Sequence, residues 1–148
     1  MLKQLFGFFA VLLSSPLMAQ ILVEDAHVRA MPPGVPNTAG YLQITSSEGD
    51  DQLLAARCEG VENTEMHTLL HEDGLTKMRP VAAIELPQGV AVILAQGGLH
   101  LMMMGLEATP EVGAQLSCEL RFAKAPVQTV VFEVRDLKPS EHSHHHHH

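Results

Sequence analysis

The chain has 148 residues, with nine Lys and Arg against seventeen Asp and Glu and a formal net charge of −8. That length accommodates one domain rather than two. The acidic balance, with no basic stripe to neutralise phosphates, argues against a nucleic-acid-binding protein.

The first nineteen residues read as a secretory signal rather than as part of the folded product. Lys3 supplies the positive start, Leu5 to Leu13 an apolar run, Pro16 a helix breaker, and Ala19 a small residue at a plausible cleavage point. The apolar run is shorter than the roughly 20 residues a bilayer-spanning helix needs. A cleaved signal is therefore expected, with no membrane insertion afterwards; an uncleaved anchor is the alternative.

The body, residues 20–138, is cut by Pro and Gly into short pieces. Ile21 to Arg29 is an apolar-alternating stretch ending at the turn signal Met31-Pro32-Pro33-Gly34. Strands are then predicted at Ala39–Thr45, Leu53–Cys58 and Thr64–Leu70, the last followed by the turn Glu72-Asp73-Gly74. Further strands follow at Leu75–Arg79, Val90–Leu94, His100–Met104, Gln115–Phe122 and Val127–Val134. Pieces of this length with no sustained 3.6-residue period predict an all-β sandwich or barrel. Beyond the body, His142 and His144 to His148 hold six of the ten histidines. Residues 139–148 are a native metal-binding tail or a purification tag. The retained leader and the break at Ser143 favour a native tail.

Only two cysteines are present, Cys58 and Cys118. In an oxidising compartment a distant pair of this kind predicts a disulfide. A reduced pair binding copper or working in redox exchange is the competing idea.

The residues that carry chemistry are soft and borderline metal donors at sheet-compatible spacing. His100 and Met102 are two apart and so share one side of a strand, while Met103 points the other way into the core. Met104 returns to the first side as a candidate outer residue. If Asp73 and Gly74 form a two-residue turn, Glu72 pairs with Leu75 and His67 with Pro80, which puts Met78 diagonal to His67 on the same face. His71 shares that face but lies beside the turn. His67, Met78, His100 and Met102 are thus the candidate metal ligands. Two imidazoles with two neutral, polarisable thioethers favour Cu(I) over Zn²⁺, Mg²⁺ or Ca²⁺. Taken singly, a strand Met is more often core packing and a lone His a surface residue; His27 is left to that reading.

The segments Glu65-Met66-His67, Lys77-Met78-Arg79-Pro80-Val81 and Gly97-Gly98-Leu99-His100-Leu101-Met102 resemble the PCu(A)C family of periplasmic copper chaperones. That family's pattern is a His, ten residues, a Met, twenty-one residues, then His-x-Met. His67, Met78, His100 and Met102 match it in type and spacing. The likeness extends through Val28-Arg29-Ala30 with its Pro-Pro-Gly loop, Ala39-Gly40-Tyr41, and Leu116 to Phe122. It departs at His27, where the family usually has an aromatic residue, and in the added Cys58/Cys118 pair. The resemblance implies a cupredoxin-like, Greek-key β-sandwich or barrel in the periplasm. It also implies delivery of one Cu(I) to a respiratory cytochrome c oxidase subunit, an assembly factor or another copper chaperone, by a monomer without catalysis.

Competing readings are a copper-sequestering protein with the same site and an electron-transfer cupredoxin. The latter needs a Cys thiolate beside two His, and neither Cys lies near the His/Met cluster in sequence. No nucleophile elbow, His-Glu-x-x-His or phosphate loop points to an enzyme. The imidazole-only tail would favour Cu(II), Ni²⁺ or Zn²⁺ over Cu(I).

Overall fold

A computed structural model describes residues 20–138. The predicted signal (1–19) and His-rich tail (139–148) lie outside the described residues. The described residues form ten strands: β1 (Ile21–Arg29), β2 (Asn37–Ser46), β3 (Asp51–Cys58), β4 (Val61–Glu72), β5 (Leu75–Pro80), β6 (Ile84–Leu86), β7 (Val92–Leu94), β8 (His100–Leu106), β9 (Gln115–Phe122) and β10 (Gln128–Arg135). The all-β expectation holds, and nine of these strands coincide with predicted pieces. The short β6 escaped, because three residues between Pro80 and Pro87 give no alternation to read.

The strands are joined in the order β5-β4-β8-β2-β1-β10-β9-β3-β6, with β7 also pairing with β2. All these pairs are antiparallel except β1 with β10. β3 and β4 stand near opposite ends of that order yet pack against each other. The sheet is therefore rolled around a single core, which removes most of its exposed edge.

Alternation does the folding work. In β10, Val130, Phe132 and Val134 face the core, while Thr129, Val131 and Glu133 face water. In β9, Cys118, Leu120 and Phe122 point inward. Two strands change parity midway. The β1–β2 register shifts between Glu24 and His27, and the β3–β9 register between Leu53 and Ala55. Such bulges bend the strand and exchange its faces. Asp25 sits in the first at φ 52°, and its carboxylate accepts a hydrogen bond from Arg135 Nη1 at 2.6 Å.

Cys58 and Cys118 are direct cross-strand partners and are joined by a disulfide, as the sequence predicted. Both cysteines of the chain are therefore bonded to each other. At the opposite end of β3, the buried Asp51 carboxylate accepts the backbone N–H groups of Gln52, Lys124 and Ala125 at 2.8, 2.9 and 2.8 Å. It ties β3 to the β9–β10 turn. Among the described residues no helix is long and apolar enough to cross a membrane.

Candidate metal site

The β4–β5 hairpin turns on Asp73 and Gly74, both with positive φ (52° and 74°), the two-residue arrangement that suits the strand twist. Glu72 then pairs with Leu75, Leu69 with Met78, and His67 with Pro80, the register the sequence predicted. On its other side β4 pairs with β8, and here His67 lies directly across from His100, Glu65 from Met102, and Asn63 from Met104.

Cross-strand partners share a face, and so do residues two apart on a strand. His67, Met78, His100 and Met102 accordingly stand on one face of the β5-β4-β8 ribbon. Met66, Leu101 and Met103 point to the opposite face and are buried in the core. Behind Met103, Gly40 has no side chain, and a Cβ there would lie 2.8 Å from the Met103 methyl; the core beneath the site strand needs that glycine. Met104 takes the same face as Met102, next to Asn63 and Asn37. His71 pairs with Thr76 and is exposed, with Thr76 Oγ1 2.9 Å from its Nδ1. His27 is elsewhere, on β1, its ring 5.5 Å from Tyr41 and its Nδ1 2.7 Å from the Asp25 carbonyl oxygen.

The four residues differ in access. His100 opens β8 just after a tight turn in which Gly98 N–H donates to the Ala95 oxygen and Ala95 N–H to the Leu99 oxygen. It is only 5% exposed. Its Nδ1 lies 2.9 Å from the Gly98 carbonyl oxygen, and a carbonyl only accepts, so Nδ1 carries the proton and Nε2 the lone pair. The His67 side chain is 13% exposed. Met78, on the edge strand, is 45% exposed and forms the open side of the group. The two rings are 5.8 Å apart, edge to face.

Glu65 was not singled out as a functional residue from the sequence. Its Oε2 is 2.8 Å from His67 Nε2, and its Oε1 accepts a hydrogen bond from Asn63 Nδ2 at 2.9 Å. The His67 hydrogen bond, then that from Asn63, hold its carboxyl below the usual carboxylate range. The signal was its place two residues before His67, which on a strand means the same face.

An ion about 2.0 Å from one nitrogen of each ring, the usual metal–imidazole length, would lie about 3 Å from each ring centre, so two rings sharing it have centres up to about 6 Å apart. The observed 5.8 Å satisfies that. His67 Nδ1 is buried without a hydrogen-bond partner, an uncommon state for a polar atom and one that a ligand would relieve. Among the described residues no three His, Cys, Asp or Glu side chains converge to hold a metal. The donors that flank the two imidazoles on this face are the thioethers of Met102, two residues along β8, and Met78, diagonal to His67.

The rolled all-β sheet has the fold of PCuAC domains. It superposes on the apo PCuAC domain of PmoF1 with a TM-score of 0.69, at 24% identity over 81% of this chain and 97% of that one. The copper-bound PCuAC domain of PmoF2 gives 0.67 at 22% identity, over 81% and 96%. The Cu(I) form of DR1885 from Deinococcus radiodurans gives 0.63 at 24% identity, over 84% and 81%. Residues 21–134 match the family described as "Putative lipoprotein LpqE-like", and the chain belongs to that family. A protein of Leifsonia xyli subsp. xyli described as a putative lipoprotein is 29% identical over 118 residues, 79% of this chain and 70% of the relative.

Proposed function

We propose that this protein is a copper carrier of the periplasm that holds one Cu(I) with His67, Met78, His100 and Met102. It hands the ion to a copper-accepting protein, a cytochrome c oxidase subunit or one of its assembly factors, and acts without catalysis. One observation carries the reading: two imidazoles directly opposed across β4 and β8, with Met102 two residues along the same strand and Met78 diagonal to His67 on the edge hairpin. Neutral sulfur donors with two neutral imidazoles suit Cu(I), a soft monocation, and give poor sites for hard divalent ions. The half-exposed Met78 offers the side from which an acceptor's ligands exchange with those of the carrier, one at a time. An electron-transfer cupredoxin is disfavoured because its thiolate ligand is unavailable: both cysteines are in the disulfide. The copper-bound and Cu(I)-bound proteins among the structural matches support the choice of metal. The lipoprotein descriptions of the family and the relative support export.

Cu(I) competition against a chromophoric chelator tests the site. The wild type takes up one Cu(I), and Met78→Leu and Met102→Leu, which conserve volume and apolarity, each weaken binding by more than about tenfold, the loss seen when even an outer partner of a metal ligand is removed. His67→Ala and His100→Ala weaken it as well. Wild-type affinity in both Met variants would refute the assignment. The imidazole-only tail is the proposed holder of Cu(II). Repeating the assay without residues 141–148 should leave Cu(I) stoichiometry at one and abolish a Cu(II) uptake step. Sequestration is the second reading of the same site, and copper-limited oxidase activity in a deletion strain separates it from delivery: undiminished activity means sequestration.

A further inference from the structure

Three residues stand in a row along one face of β4. Asn63 Nδ2 donates to Glu65 Oε1 at 2.9 Å, and Glu65 Oε2 meets His67 Nε2 at 2.8 Å. They face Met104, Met102 and His100 on β8, residue for residue. Glu65 is a carboxylate at neutral pH, with Oε1 taken up by Asn63 and Oε2 facing the His67 ring. An ionised carboxylate only accepts, so the proton between the two side chains belongs to His67 Nε2. The neutral imidazole then has its lone pair on Nδ1, the atom that is buried without a partner. His100 is fixed the opposite way by the Gly98 carbonyl oxygen, with its lone pair on Nε2.

We propose that Glu65 is a positioning residue for the metal: by accepting the Nε2 proton of His67 it fixes the tautomer in which Nδ1 is the donor, so that one ion is held through Nδ1 of His67 and Nε2 of His100. Binding through His67 Nε2 instead would break the Glu65 hydrogen bond and move the proton to Nδ1, leaving a buried N–H with no acceptor. Carboxylate–histidine–metal relays of this kind orient the ring and raise the basicity of its free nitrogen. Asn63 in turn holds the Glu65 carboxylate in place. The identity of the ion rests on the copper reading above, but the tautomer does not, since it is set in the metal-free protein.

Long-range ¹H–¹⁵N spectra of the histidine side chains, recorded on the full chain, test the assignment. In the metal-free protein His67 should have its proton on Nε2 and His100 on Nδ1. Cu(I) should then shift the ¹⁵N resonances of His67 Nδ1 and His100 Nε2. Glu65→Ala should mix the His67 tautomers and weaken Cu(I) binding by about 10–100-fold, the usual effect of losing such a partner. Glu65→Gln, which retains an oxygen acceptor, should restore the tautomer and most of the affinity. A proton on His67 Nδ1 in the metal-free wild type, a Cu(I)-induced shift at His67 Nε2, or a Glu65→Ala variant with wild-type tautomer and affinity would each overturn the inference. A wild type with the proposed tautomers that binds no Cu(I) would overturn the copper reading while leaving Glu65's hold on the His67 proton standing.

Discussion

β9 and β4 are both inner strands of one rolled sheet, and they are used in opposite ways. β9 is bonded to β3 through Cys118, sends Leu120 and Phe122 into the core, and leads into a turn whose amides Lys124 and Ala125 are capped by Asp51. β4 is longer, twelve residues, yet only Met66 on it is buried, and no residue of β5 is. The β4–β5 hairpin is held by its backbone ladder, its turn and the β8 pairing, with little apolar burial of its own. Its outward side chains are therefore free of packing duty and available for chemistry. The difference separates a bolted frame from a lightly held edge that presents donors and can yield them.

The largest expected effect falls on the frame. Replacing both cysteines by alanine releases a cross-link with a sequence separation of 60. Loop-closure entropy puts the loss at roughly 4 kcal/mol. Urea unfolding should show a lower midpoint, while the folded fraction still takes up one Cu(I). Loss of Cu(I) binding from chains still folded would erase the separation between frame and site.

The second effect is smaller and depends on pH. Burial alone would raise the Asp51 carboxyl, but hydrogen bonds from the Ala125, Gln52 and Lys124 amides and the Lys124 charge together hold it below the usual carboxylate range. A pKa lower in the folded state means that the stabilisation is complete above the unfolded value of about 3.9 and is lost as pH falls through the folded value. Asp51→Asn keeps one oxygen but presents an amide N–H where Ala125 N–H needs an acceptor, a cost of about 1–3 kcal/mol at neutral pH. The gap between wild type and variant should narrow in acid. A gap that stays constant down to about pH 2, below the ordinary carboxylate range, would mean that the carboxylate's charge is not what ties the turn.

Much of this division was legible in the sequence. Alternation located the strands of the frame, because apolar residues at every second position report burial directly. The hairpin register followed from Asp73-Gly74, since a two-residue turn leaves only one pairing, and that pairing put His67 opposite Pro80. The opposition of His67 and His100 was not legible, since it depends on which strand lies beside β4, and β8 is far away in the chain. Both bulges were hidden as well: Asp25 at positive φ interrupts what reads as continuous alternation in β1. Glu65 stood in the sequence only as part of the segment Glu65-Met66-His67, and its role depends on the placed imidazole 2.8 Å away.

The smallest effect should come from the turn itself. Gly74 has φ 74° with open space around the position a Cβ would take, so Gly74→Ala meets no clash and suffers only the left-handed backbone penalty of about 1 kcal/mol. Because the hairpin contributes little to the core, this strain should appear as local opening rather than as global unfolding. Hydrogen exchange should quicken at the β5 amides that pair with β4, while the β9 and β10 amides keep their protection. Cu(I) affinity should fall slightly, because Met78 is held against His67 only by this register, and His67 and His100 remain joined through β8. Equal loss of protection in β5 and β9 would show that the hairpin and the frame open as one unit, and the two halves of the sheet would then differ in chemistry but not in stability.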